Sequence, residues 1–166
     1  DFAPTPSKEN AMNIKKLGKA DYAPTFEAMK TFNAARTPDT EDEIWLVEHP
    51  PVFTQGLAGK PEHLLLRSDI PVVQIDRGGQ ITYHGPGQVV AYTMIDFKRH
   101  HVSVRKIVSA LENAVIATLA EYGIPSAADP DRPGVYVGER KLHLIPKNNN
   151  HTPYTLRYFR IWHRTI

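Results

Sequence analysis

The 166 residues contain no cysteine. That excludes a disulfide, a thiolate metal site and a thiol nucleophile drawn from these residues. No apolar run approaches the roughly 20 residues of a membrane-spanning helix, so no membrane association is expected. Residues 1–11 carry neither an apolar signal region nor an initiator methionine and read as an extension the fold does not need; secretion is not expected, and cytoplasmic localisation is the default. Net charge is only +2, which makes no general case for nucleic acid as a partner. The glycines are followed by no Lys-Ser or Lys-Thr, so no nucleotide P-loop is present. No Gly-x-Ser-x-Gly elbow exists for a serine hydrolase. His100-His101 lack partner ligands, so no metal is expected and their role reads as loop solvation.

What is present suffices for one domain. A hydrophobic content of 41% over this length can bury a core, and no repeat or second domain is visible. Asn13–Leu17 reads as a short first strand. Asp21 can cap a helix whose Tyr22, Phe26, Met29 and Phe32 fall on one face at three- and four-residue spacing. Thr37–Glu43 reads as a polar, acidic connection, and Ile44–Val47 as a buried strand ended by His49-Pro50-Pro51. Pro61–Leu66 suggests a short helical turn, with strands at Pro71–Ile75 and near Val89–Ile95. Ser103 can cap the longest helix, whose apolar face is Val104, Ile107, Val108, Leu111, Val115 and Leu119, with Gly123 in the place of a C-terminal cap. Gly134–Val137 and Leu142–Ile145 could pair through Gly138-Glu139-Arg140.

The stretch richest in chemical information is Arg77-Gly-Gly-Gln-Ile-Thr-Tyr-His-Gly-Pro-Gly-Gln88, with four glycines inside ten residues and apolar runs on both sides. Glycine lets another molecule approach the backbone closely, and Arg77, Tyr83 and His84 are polar anchors on it. The same spacing serves a ligand cradle or a tight β-hairpin whose glycines only turn the chain. For His84, a satisfied structural histidine stands beside the ligand-contact reading.

Residue order adds a resemblance. The glycine segment is similar to the signature of the octanoyltransferases, the lipoyl(octanoyl) transferase or lipoate-protein ligase B family. Asp21-Tyr-Ala-Pro-Thr-Phe26, Glu43-Ile-Trp-Leu-Val-Glu-His-Pro-Pro-Val-Phe-Thr-Gln-Gly56 and Gly134-Val-Tyr-Val-Gly-Glu-Arg-Lys141 agree in the expected order. The resemblance runs from about Met12 to Leu142 and then stops. It implies an α/β domain of the α+β type, a mixed sheet with flanking helices like the biotin and lipoate protein ligase catalytic domain, with its C-terminal part missing. Residues 12–145 then form a partial catalytic domain and residues 146–166 an atypical basic tail.

The implied activity is transfer of octanoyl from acyl carrier protein to a lysine of lipoyl domains, those of 2-oxoacid dehydrogenases and of the glycine cleavage H protein. A thiolate attacks the thioester, and a lysine handles protons; no cofactor is implied, because the thioester is already activated. Lys141 matches the family lysine. Arg77, Gly78, Gly79, Gln80, Ile81, Thr82, Tyr83 and His84 match the substrate-binding segment. The nucleophilic cysteine is absent, so the chain is expected to be inactive or impaired. Alternatives are an ATP-dependent lipoate-protein ligase and a non-catalytic module that binds acyl carrier protein or a lipoyl domain.

The tail differs in composition. From Pro146 onward there are four basic residues and no acidic ones. Its arginines alternate with Tyr154, Tyr158, Phe159 and Trp162, a composition able to stack on nucleic acid. An unfolded or frame-shifted segment has the same composition, and a loosely attached tail is the expectation.

Overall fold

A computed structural model describes residues 12–59, 69–76, 80–132 and 134–142, and the backbone alone of 156–162. A four-stranded sheet is its centre. It is built from β1 (Met12–Lys19), β2 (Asp42–Glu48), β6 (Gln88–Met94) and β10 (Leu156–Trp162), in the order β1-β2-β6-β10. β1 and β2 are parallel, and the other two pairings are antiparallel, so the sheet is mixed. A second mixed sheet has the order β4-β3-β5, with β3 at Val52–Gln55, β4 at Val72–Gln74 and β5 at Ile81–His84. Strands β7 (Ala127–Ala128), β8 (Val135–Val137) and β9 (Arg140–Lys141) make a small antiparallel third.

The two faces of the central sheet are apolar in alternation, as the period of two in a strand requires. Trp45 and Val47 of β2, with Val90, Tyr92 and Met94 of β6, face helix α1 (Tyr22–Ala34), which contributes Tyr22, Phe26 and Met29; Val52 and Ile75 complete this cluster. Ile44 and Leu46, with Ala91, face the other way, toward Leu111, Val115 and Leu119 of α2 (Val104–Glu121) and toward Val135. The sheet is therefore covered by one helix on each side, and β2 and β6 each contribute to both clusters.

Both helices begin where the sequence indicates. Asp21 takes the extended N-cap conformation without a side-chain cap bond, whereas the Ser103 hydroxyl accepts from the Lys106 amide. An 18-residue α2 spans about 27 Å, and Val104, assigned to its apolar face, is in fact exposed. Among the described residues no helix is long and apolar enough to cross a membrane.

Four expectations need correction. Asp42 and Glu43 do not belong to a solvated connection: they open β2, and Asp42 is fully buried. His100 does not merely solvate a loop. Its Nε2 lies 2.5 Å from Asp42 Oδ2, while Arg36 and Arg99 hold Asp42 Oδ1 at 2.5 and 2.6 Å. Burial alone would raise the Asp42 carboxyl, but the Arg36, Asp96-amide and His100 hydrogen bonds and the Arg99 charge hold it below its ordinary value.

The hairpin near residue 138 is tighter than expected, because Val137 pairs with Arg140 across Gly138-Glu139 alone. Gly138 has φ +57°, the sign that the first position of a type II′ turn demands. Finally, part of the tail is not detached. The backbone of Leu156–Trp162 pairs with β6 and closes one edge of the central sheet. The suggested turn at Pro61–Leu66 lies outside the described residues.

Candidate functional site

The glycine segment is neither a simple hairpin nor a free loop. β5 pairs with β3 in one sheet and β6 with β2 in another, so Gly85-Pro86-Gly87 carries the chain between sheets. Of the predicted site residues, Arg77, Gly78 and Gly79 lie outside the described residues. The Gln80 carbonyl accepts from the Gly56 amide at 2.8 Å. Ile81, Thr82, Tyr83 and His84 then form β5, with His84 opposite Val52 and Tyr83 opposite Phe53. The Tyr83 ring packs on Phe53 with centroids 5.4 Å apart.

His84 turns inward and is 1% exposed. Its Nδ1 lies 2.8 Å from Gln88 Oε1 and its Nε2 3.3 Å from Thr54 Oγ1. The ring stacks on Tyr22, centroids 5.6 Å apart, and meets His49 edge-on at 6.2 Å. His49 is buried beside it, its Nδ1 2.6 Å from the Ala20 carbonyl oxygen and its Nε2 2.8 Å from the Tyr92 hydroxyl. A carbonyl oxygen only accepts, so Nδ1 of His49 carries a proton. Burial pushes His49 below its ordinary pKa, against the opposing pull of the Ala20 bond and of Asp21. The neutral ring then accepts a hydrogen bond from the Tyr92 hydroxyl on Nε2.

The result is a buried polar and aromatic cluster under the glycine segment: Tyr22, His49, Thr54, His84, Gln88 and Tyr92. Sequence reasoning named only His84 as a site residue, yet four of the others were within reach. Tyr22, His49, Thr54 and Gln88 all fall inside the segments that carried the family resemblance. Three of those four segments converge here because α1, β3 and the β5–β6 junction enclose one volume.

The fourth segment stands apart. Lys141 lies on β9 in the third sheet, is exposed, and places Nζ 5.6 Å from the centroid of the Tyr136 ring. Its hairpin is tied to α2 by the Gly134 amide, which donates to the buried Glu112 carboxylate at 2.7 Å. The described residues thus bring Gln80–His84 together with Thr54 and Gln88, and leave Lys141 on a different sheet. A cleft of about 340 Å³ between α2 and Ala128–Pro130, lined by Ser109 and Glu112 among others, shares no residue with either. Among the described residues no group of acidic and histidine side chains is arranged to hold a metal ion.

Comparison with known proteins follows the same outline. Residues 21–143 match the family described as the lipoyl protein ligase A/B catalytic domain. An octanoyltransferase of Neisseria meningitidis serogroup C is 79% identical over 131 residues, which cover 79% of this chain and 63% of that protein. An octanoyltransferase of Chromobacterium violaceum is 61% identical over 129 residues, covering 78% of this chain and 62% of the relative. The chain thus spans under two thirds of the length of these curated relatives.

Among solved structures, a putative lipoate protein ligase from T. acidophilum superposes with a TM-score of 0.69 at 13% identity, over 93% of this chain and 70% of that one. A lipoate-protein ligase A bound with ATP superposes with a TM-score of 0.65 at 11% identity, over 93% and 67%. At such identities the likeness is one of fold. It bears out the expected mixed-sheet architecture with flanking helices.

Proposed function

The chain belongs to the lipoyl protein ligase A/B catalytic domain family, and from that premise we propose that the protein is an octanoyltransferase of protein lipoylation. The observation that carries the proposal is the 79% identity over 131 residues to proteins of that activity. At 11–13% identity, the ligases of like fold lend no comparable support for their own chemistry.

The reaction would proceed in two exchanges. A thiolate adds to the carbonyl of octanoyl-acyl carrier protein, and the carrier thiol leaves with a proton. The amine of a lipoyl-domain lysine then adds to the enzyme thioester, an amide forms, and the enzyme thiol is released. These 166 residues contain no cysteine, so they do not themselves supply the thiol. What they do supply is the acyl-binding frame. In this reading residues 77–84 hold the substrate, with the β5 backbone fixed against β3, and Lys141 is the proton-handling amine. Acyl carrier protein, lipoyl domains and a cytoplasmic setting belong to the same proposal.

The test is nucleotide dependence. Octanoate and ATP, incubated with the chain, should release no pyrophosphate and form no octanoyl-adenylate. Adenylate formation would replace this reading with the ligase activity.

A further inference from the structure

We infer that Tyr136 is a positioning residue for the Lys141 amine, held on its aromatic ring by the β8–β9 hairpin. That Lys141 handles protons rests on the octanoyltransferase reading; that Tyr136 holds its amine does not.

The pleat decides which side chains share a face. Successive residues of a strand point to opposite sides. Val135 and Leu142 turn inward, to the cluster that includes Val115 and Leu119 of α2. Tyr136 and Lys141, their neighbours in sequence, therefore share the outer face, and they are direct register partners. Cross-strand partners have β-carbons about 4.5–5.5 Å apart, so a lysine stem can lie along the opposing ring. Lys141 Nζ stands 5.6 Å from the centroid of Tyr136, inside the roughly 6 Å within which a ring face attracts an ammonium.

The ring is itself held. Its hydroxyl donates to the Arg132 carbonyl oxygen at 3.1 Å. The Arg132 guanidinium carbon is 5.0 Å from the same centroid, and Arg132 Nε donates to Asp129 Oδ2 at 2.7 Å. Asp129 thus answers the Arg132 charge. Lys141 forms no ion pair among the described residues, and the group its amine meets is the Tyr136 ring. The base of the hairpin is fixed as well. The buried Glu112 carboxylate accepts from the Gly134 amide at 2.7 Å, and the Leu142 amide donates to the Val135 carbonyl at 2.9 Å.

A lysine carries its charge on a flexible four-carbon stem, whereas proton transfer needs heavy atoms within about 2.6–3.2 Å. Contact with the ring selects among the conformations of the stem and leaves the amine open to solvent, since Lys141 stays exposed. An exposed contact of this kind favours the held conformation about two- to fivefold.

The experiment uses the 166-residue chain labelled with carbon-13 at lysine. The ε-methylene protons of Lys141 should resonate upfield of those of the exposed Lys98 and Lys106, because they lie over a ring face. Ordinary shifts for Lys141 in the unsubstituted chain would overturn the inference without any variant. Tyr136→Leu should return the signals to the positions of Lys98 and Lys106, and Tyr136→Phe, which keeps the ring, should retain the upfield shift. Signals that stay upfield in Tyr136→Leu, or that are lost equally in Tyr136→Phe, would overturn the role of the ring. No substrate enters this measurement. Formation of octanoyl-adenylate from octanoate and ATP would replace the octanoyltransferase reading and leave the lysine signals to decide Tyr136, so the two failures are told apart.

Discussion

The Tyr83 ring lies across the α-carbon of Gly85: a β-carbon built on Gly85 would collide with the Tyr83 hydroxyl oxygen and its ring carbons. The glycine two residues after the tyrosine thus leaves room for the close approach of a side chain. The sequence suggested a ligand or a turn for these glycines, and here the approaching group belongs to the protein itself.

Gly85→Ala should therefore expel the Tyr83 ring from its place on Phe53. The loss of that aromatic pair sets the scale, about 1 kcal/mol. Denaturant unfolding would read the stability change, and proton–proton contacts between Tyr83 and Phe53 would read the displacement. Intact contacts in the alanine variant would show that the ring and the methyl group can share the space.

Asp42 should be among the costliest single positions. It is wholly buried and holds two guanidinium groups, one of them nearly as buried, together with His100. Asp42→Ala leaves the two guanidinium groups without their counter-charge, a loss of about 3–5 kcal/mol in comparable buried pairs. Because the folded-state pKa is lowered, the carboxylate stabilises the fold above its unfolded value of about 3.9, and that contribution is lost as pH falls through the folded value. Urea titrations between pH 6 and pH 3 should show a steeper acid loss in the parent than in Asp42→Asn. Parallel curves would argue against the charged cluster.

His49 makes a parallel demand at a milder pH. Its folded-state pKa is lowered by burial, so the unfolded chain takes up the proton first. Stability should fall as pH drops below about 6.5 and should go on falling until the buried ring protonates too. His49→Gln should flatten that slope relative to the parent, as read from unfolding free energies at pH 7.5 and 5.5. Tyr92→Phe should cost about 1–2 kcal/mol at either pH by leaving Nε2 without its donor. A slope unchanged by His49→Gln would assign the acid sensitivity to other histidines.

The 166-residue chain alone should not turn over octanoyl-acyl carrier protein usefully, since these residues include no thiol for the covalent route. Mass spectrometry of a lipoyl domain incubated with chain and thioester should find no octanoyl-lysine above the uncatalysed level. Robust multiple turnover would require a different nucleophile and a different mechanism.

Local signals carried much of this fold. The α1 stripe and the Ser103 cap are visible because a helix writes its buried face and its start into adjacent residues. The hairpin at Gly138 was legible for the same reason, apart from its exact register. The Asp42 cluster was not, because Arg36, Arg99 and His100 reach it from up to 58 positions away and only the folded sheet juxtaposes them. An acidic run beside a proline looks like a solvated loop until Arg36, Arg99 and His100 are placed. β10 was hidden likewise: its partner is β6, more than sixty residues earlier, and its own residues lack a clean alternation. Within the site, His84 was legible as a residue of interest. Its inward turn was not, since that depends on Tyr22, His49 and Thr54 enclosing it.

The central claim is that these residues form an acyl site addressed by an activated octanoyl group. Calorimetric titration of a soluble octanoyl thioester into the chain, without nucleotide, tests it most directly. Burying the acyl chain contributes about 5 kcal/mol at roughly 0.8 kcal/mol per methylene, which corresponds to a Kd on the order of 0.1–1 mM. The account predicts saturable binding in that range at a single site. Heats indistinguishable from dilution, or binding that appears only when ATP is added, would contradict it.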